Sequence, residues 1–117
     1  MRIDAGQQQQ RVVIFSHVPI HEKASSLFHL LWSHLSVRQM PATHECVCAW
    51  CSGHDRKGSY AEDDEVHYLT FAGMVEAFER NAFTLVHAFR GQLVIEGIGK
   101  QASLTLQVPA SAKTSKR

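Results

Sequence analysis

The spacing of apolar and polar positions changes period several times between Arg11 and Val108, and each change predicts an element. Val12, Val13 and Ile14 form a β-branched run within residues 11–16, the pattern of a buried strand, and Pro19 ends it. Over residues 22–35, Leu27, Phe28, Leu31 and Leu35 recur at near-helical spacing, with Glu22, Ser26, His29 and Ser33 opposite. That predicts an amphipathic helix with Trp32 packed along its apolar edge, and Pro41 closes the connection behind it. Residues 42–65 lose the periodicity. They hold a cysteine cluster, then a polar loop with Gly53, Gly58 and the acidic run from Glu62 to Glu65.

A short strand is expected over residues 66–69, and Thr70 is placed to cap a second helix running through Ala82. Phe71, Val75, Phe78 and Ala82 would share its buried face, with Glu76 and Arg80 paired outside. Residues 84–90 then run into Gly91-Gln92, a glycine-first pair suited to a tight II′ turn, and residues 93–97 return. Ala102, Leu104, Leu106 and Val108 alternate with Ser103, Thr105 and Gln107, as in a half-buried antiparallel strand. The sum is an α+β fold, a small single domain with two helices packed on a mostly antiparallel sheet. A Cys/His-rich loop interrupts it and a three-strand meander ends it.

The domain is expected over residues 11–108. Residues 1–10, with glutamines from Gln7 to Gln10, read as a flexible N-terminal arm. Residues 109–117, opening at Pro109 and carrying Lys113, Lys116 and Arg117, read as a flexible basic tail. No internal repeat is visible. An apolar fraction of 44% is enough to bury a core without disulfide staples. A net charge of +1 gives no field that draws a chain onto nucleic acid or an anionic membrane, and no apolar stretch is long enough for a bilayer span. Three cysteines within six positions make a poor disulfide framework. They point instead to a reducing, cytoplasmic setting and to metal or redox chemistry.

The strongest chemical signal is therefore His44-x-Cys46-x-Cys48-x2-Cys51-x2-His54. Zinc takes four soft ligands in a tetrahedron, and a Cys-x2-Cys turn can aim two sulfurs at one point. The expected ligand set is Cys46, Cys48, Cys51 and His54, with His44, His67 or His87 as alternative fourth ligands. Cys48-Ala-Trp-Cys51 could instead cycle as a dithiol, although Gly53, Asp55 and Gly58 after it argue for a loop where such sites open a helix. His17, His21, His29 and His34 read as surface histidines. His87 alternates with Leu85 and Phe89, which turns it inward, and the Gly91-Gln92 turn would set it opposite Glu96. Gly97-x-Gly99-Lys100 resembles a phosphate loop but lacks Walker spacing, so a hairpin turn is expected there. The acidic run lacks the alternating ligands of a calcium loop and reads as a solvated segment.

No nucleophile, base and acid stand in recognisable order. The expected function is a zinc-stabilised binding module that acts through a protein partner as an adaptor, inhibitor or regulator. The alternatives are an enzyme using the Cys48/Cys51 cluster, either a dithiol oxidoreductase or a metal-dependent hydrolase recruiting His67 or His87, and a nucleic-acid-binding regulator using Arg56, Lys57 and the basic tail.

Overall fold

Seven strands form two sheets, not one, among residues 10–73 and 82–108, which the computed structural model describes. The strands are β1 (Val12–Phe15), β2 (Val47–Ser52), β3 (Ser59–Asp63), β4 (Val66–Thr70), β5 (Ala82–Ala88), β6 (Gln92–Gly99) and β7 (Leu104–Gln107). The first sheet has the order β1-β2-β4-β3, and the second is the expected meander β5-β6-β7. The expected arm and basic tail (Gln10 apart) lie outside the described residues, as do residues 74–81 of the expected second helix.

β2 is the largest correction. All six of its residues, Val-Cys-Ala-Trp-Cys-Ser, are buried where a loop was expected. Cysteine packs as a small apolar side chain, and a strand covered on both faces shows no alternation to read. β1 and β4 flank β2 in parallel, so the first sheet is mixed and not mostly antiparallel. Ala49, Cys51 and Leu69 face the second sheet and meet Leu93, Ile95, Leu106 and Val108. Trp50, Val66 and Tyr68 face the other way, against Ile20, Ala24 and a helix, α1 (His34–Thr43).

α1 corrects the first expected helix. Residues 22–35 make only two 3₁₀ turns, Glu22–Ala24 and Leu27–His29, before α1 begins. Ser25 and Ser26 separate those turns in extended conformation, which breaks the pattern that joined them. Phe28 and Trp32 are 97% and 100% exposed, so the apolar edge expected for Trp32 is not packed. Pro41, expected to close the connection, lies buried inside α1.

The acidic run is a tight hairpin turn. Asp63 pairs with Val66, and Asp64 and Glu65 between them adopt φ of 54° and 63°, as a type I′ turn requires. At the second hairpin, Phe89 N–H bonds Gln92 O, so Arg90 and Gly91 form the turn. This register puts Ala82, Val86 and Ala88 opposite Gly99, Ile95 and Leu93, and turns Leu85, His87 and Phe89 outward. The inward reading of His87 fails by a single step of side-chain alternation.

A buried histidine ties the first loop to the β3–β4 turn. Lys23 N–H bonds His21 Nδ1 at 3.0 Å, which leaves the His21 proton on Nε2, donated to Asp63 Oδ2 at 2.8 Å. That hydrogen bond, aided by the charge of Arg38, holds the Asp63 carboxyl below its ordinary value. A lowered carboxyl contributes stability at pH above its unfolded value of about 4, and the contribution is lost as pH falls through the folded value. Urea midpoints measured across pH 2–6 should therefore drop on acidification, and Asp63→Asn should flatten part of that drop. Ile95, 1% exposed between the sheets, sets the core. Ile95→Ala should cost about 2–5 kcal/mol in denaturant unfolding.

Candidate functional site

Parallel strands end at the same side of a sheet, and the loops that leave their carboxyl ends converge there. β1 runs out through Ser16 into His17, and β2 runs out through Gly53 into His54. The ladder continues beyond both strands: Ser16 N–H bonds Cys51 O at 2.9 Å, and Gly53 N–H bonds His17 O at 3.0 Å. The imidazoles of His17 and His54 are consequently neighbours, with ring centroids 5.0 Å apart. His29, from the second 3₁₀ turn, stands 5.2 Å from His54 on edge. His17 and His54 are exposed and His29 is half-buried.

The loop carrying His54 is held from beneath. His54 itself adopts φ of 66°, a left-handed conformation that only a constrained loop maintains in a non-glycine residue. Asp55, buried beside it, accepts hydrogen bonds from Ser26 N–H at 2.8 Å and the Ser25 hydroxyl at 3.1 Å. Burial alone would raise the Asp55 carboxyl, but those bonds, one from Lys57 N–H and the nearby His29 together hold it below its usual value. Ser26 Oγ also lies 2.6 Å from His29 Nδ1, so one serine joins the His54 loop to the third imidazole. A groove of about 540 Å³ opens alongside, lined by Val18, Phe28, His29, Trp32 and His54.

The expected zinc ligands do not converge. Cys46, Cys48 and Cys51 lie along or just before β2, and His54 follows its far end. Six extended residues span about 20 Å, whereas every zinc–sulfur bond is about 2.3 Å. Each thiol is buried in packing: Cys46 against Val47 and Met40, and Cys48 and Cys51 between the sheets. Burial raises the Cys48 thiol, and burial together with the adjacent Cys48 pushes Cys51 up to about 12. The alternative fourth ligands are engaged elsewhere. His44 Nδ1 lies 2.9 Å from Met40 O at the opposite end of β2. His67 Nε2 donates to Gln107 O at 2.7 Å, while its Nδ1 accepts from the Tyr60 hydroxyl at 2.8 Å. His87 lies outside on β5, 2.9 Å from Glu96, which sits diagonally across the ladder and not opposite. Among the described residues no group of three or more His, Cys, Asp or Glu side chains could hold a metal by itself.

Of the expected set only His54 belongs to the cluster, and His17 and His29, taken singly, carry no more than the surface-histidine pattern in the sequence. A signal for two of them exists in the sequence. An apolar run, a small residue and a histidine occur twice, in Val13-Ile14-Phe15-Ser16-His17 and in Trp50-Cys51-Ser52-Gly53-His54. It is legible only if the cysteines are counted as strand residues.

No family model matches the chain. It is similar to the manganese-dependent ADP-ribose/CDP-alcohol diphosphatase of Xenopus laevis, 31% identical over 101 residues that cover 85% of this chain and 28% of the relative. The enzyme of the same name from Mus musculus is 35% identical over 94 residues, covering 79% of this chain and 28% of the relative. Among solved structures, a dimetal phosphatase from Danio rerio superposes with a TM-score of 0.85 at 30% identity, over 87% of this chain and 33% of that one. The chain thus spans about a third of the length of the relatives it matches.

These likenesses overturn the zinc-stabilised adaptor, inhibitor or regulator working through a protein partner. The relatives are named as metal-dependent enzymes acting on small nucleotide-type molecules, and the metal in their name is manganese, not zinc. The alternative of a metal-dependent enzyme agrees with them. The buried, raised thiols also oppose a dithiol cycle. A thiol-specific reagent at pH 8 should therefore leave Cys46, Cys48 and Cys51 unmodified in the folded protein and label all three in denaturant, counted by intact mass.

Proposed function

We propose that this chain supplies histidine ligands to a manganese-dependent centre that hydrolyses the diphosphate bond of small nucleotide esters. The observation that carries the reading is the adjacency of His17 and His54 at the carboxyl ends of two parallel strands, in a fold that superposes on a dimetal phosphatase. The donor chemistry fits in part. Neutral imidazoles are competent ligands for divalent transition metals, and manganese also favours carboxylates. Asp55, the nearest carboxylate, is committed to Ser25 and Ser26. The described residues therefore supply only the imidazole part of such a donor set.

A bound divalent ion in such a centre polarises a phosphoryl oxygen and lowers the pKa of a ligated water. The chain's own residues position the imidazoles. Gly53 N–H and His17 O couple the two loops, Asp55 anchors the segment that bears His54, and His29 stands edge-on to the His54 ring. The groove beside His54 suits the rest of the substrate. Phe28 and Trp32 expose flat aromatic faces there, on which a nucleobase can stack for about 1–3 kcal/mol.

Manganese is paramagnetic, so it reports its own position. Titrating it into the full chain should broaden the amide signals of His17, His29, His54 and their neighbours before any others. His17→Ala and His54→Ala should each weaken the effect at least about tenfold, as loss of one ligand does. Broadening centred elsewhere, or affinity unchanged in both variants, would overturn the assignment.

A further inference from the structure

A second cavity, of about 190 Å³, lies between the β3–β4 hairpin and the turn joining β6 to β7. Its lining includes Lys57, Ser59, Tyr60, Leu69, Lys100 and Leu104. None of these belongs to the histidine cluster, and Lys100 comes from the Gly97-x-Gly99-Lys100 turn.

The walls are held in place by the backbone. Gly58 adopts φ of 75° and lies so close to the strand beside it that a Cβ would stand 3.1 Å from both Thr70 O and Ala72 N. Gly99, at φ of 67°, reverses the chain and presents Lys100 at the rim. Gln101, 7% exposed, braces the same rim by accepting from Ala72 N–H at 2.7 Å and donating to Ala102 O at 3.0 Å. Tyr60 is fixed by its bond to His67.

Among the described residues, no acidic side chain compensates the charge around the cavity. Among the described residues neither Lys57 nor Lys100 is ion-paired, and the Ser59 hydroxyl makes no hydrogen bond. Two lysines and one serine therefore line the same space as the apolar pair Leu69 and Leu104. Two positive charges match a dianion better than a carboxylate, which would neutralise only one of them. The apolar wall leaves room for a few carbon atoms beyond the anion.

From this arrangement we infer that the cavity is a binding site for a phosphate dianion, either free or at the end of a small phosphomonoester. Lys57 and Lys100 supply the charge, Ser59 donates to a phosphoryl oxygen, and Leu69 and Leu104 contact the carbon portion of an ester. The inference does not depend on the metal centre, since none of its three histidines lines this cavity.

The test is amide-resolved NMR on the full chain without added metal, titrated with inorganic phosphate and separately with glycerol 3-phosphate. Saturable shifts should centre on Ser59, Gly99 and Lys100. Lys57→Ala and Lys100→Ala should each raise Kd at least roughly fivefold, as loss of one charge-assisted contact does, and Lys23→Ala should leave it unchanged. Tighter binding of the ester identifies a phosphomonoester as the ligand, and equal or tighter binding of phosphate identifies the free anion. Absence of saturable shifts, shifts centred on His17 and His54, or unchanged binding in a folded Lys57→Ala, Lys100→Ala double variant would overturn the inference.

Discussion

Because β1 and β2 run the same way and their ladder continues past both strands, the loops that leave the sheet are tied together before they can diverge. Ser16 N–H to Cys51 O and Gly53 N–H to His17 O extend the pairing of Phe15 with Cys51 into what would otherwise be free connections. A slip of one residue would turn every side chain of β1 to the other face and lose both loop contacts. The burial of β2 makes such a slip costly, since packing on both sides accepts only one set of side chains. The His17–His54 pair thus inherits its geometry from a strand buried over its whole length.

Around that pair, polar groups are used to fasten loops. Asp55 gathers Ser25, Ser26 and its own loop; His21 joins Lys23 to Asp63; and His67 joins Tyr60 on β3 to Gln107 on β7. Three of the eight histidines form the cluster, and two more are buried fasteners with both ring nitrogens engaged. The distinction is one of satisfaction: a buried imidazole with two partners has no lone pair left for a metal, whereas His17 and His54 are exposed.

The parts of the fold legible in the sequence were those with clean periodicity. The strand at Val12–Phe15, the short strand at Val66–Thr70 and the closing meander all lie where alternation or β-branching placed them. β2 was hidden because a doubly covered strand carries no alternation, and because three cysteines invited a chemical reading over a packing one. The first helix was misplaced because Leu27, Phe28 and Leu35 mimic an amphipathic face that the structure leaves exposed. Of the candidate site, His54 was found for the wrong reason and His17 was missed. The determinant was tertiary, the parallel alignment of two strand ends, and it became readable only once β2 was recognised.

The parallel pairing also has a kinetic meaning. β3 with β4, and β5 with β6, are joined by two-residue turns, so their loops close quickly and at small entropic cost. Pairing Val12 with Val47 must instead close the whole intervening chain, including both 3₁₀ turns and α1, before any of its contacts form. The hairpins are therefore expected to close before the alignment that brings His17 to His54. An ion that requires both imidazoles finds no partial site on the way. It can act only as a trap for the finished state, slowing its unfolding without hastening its formation.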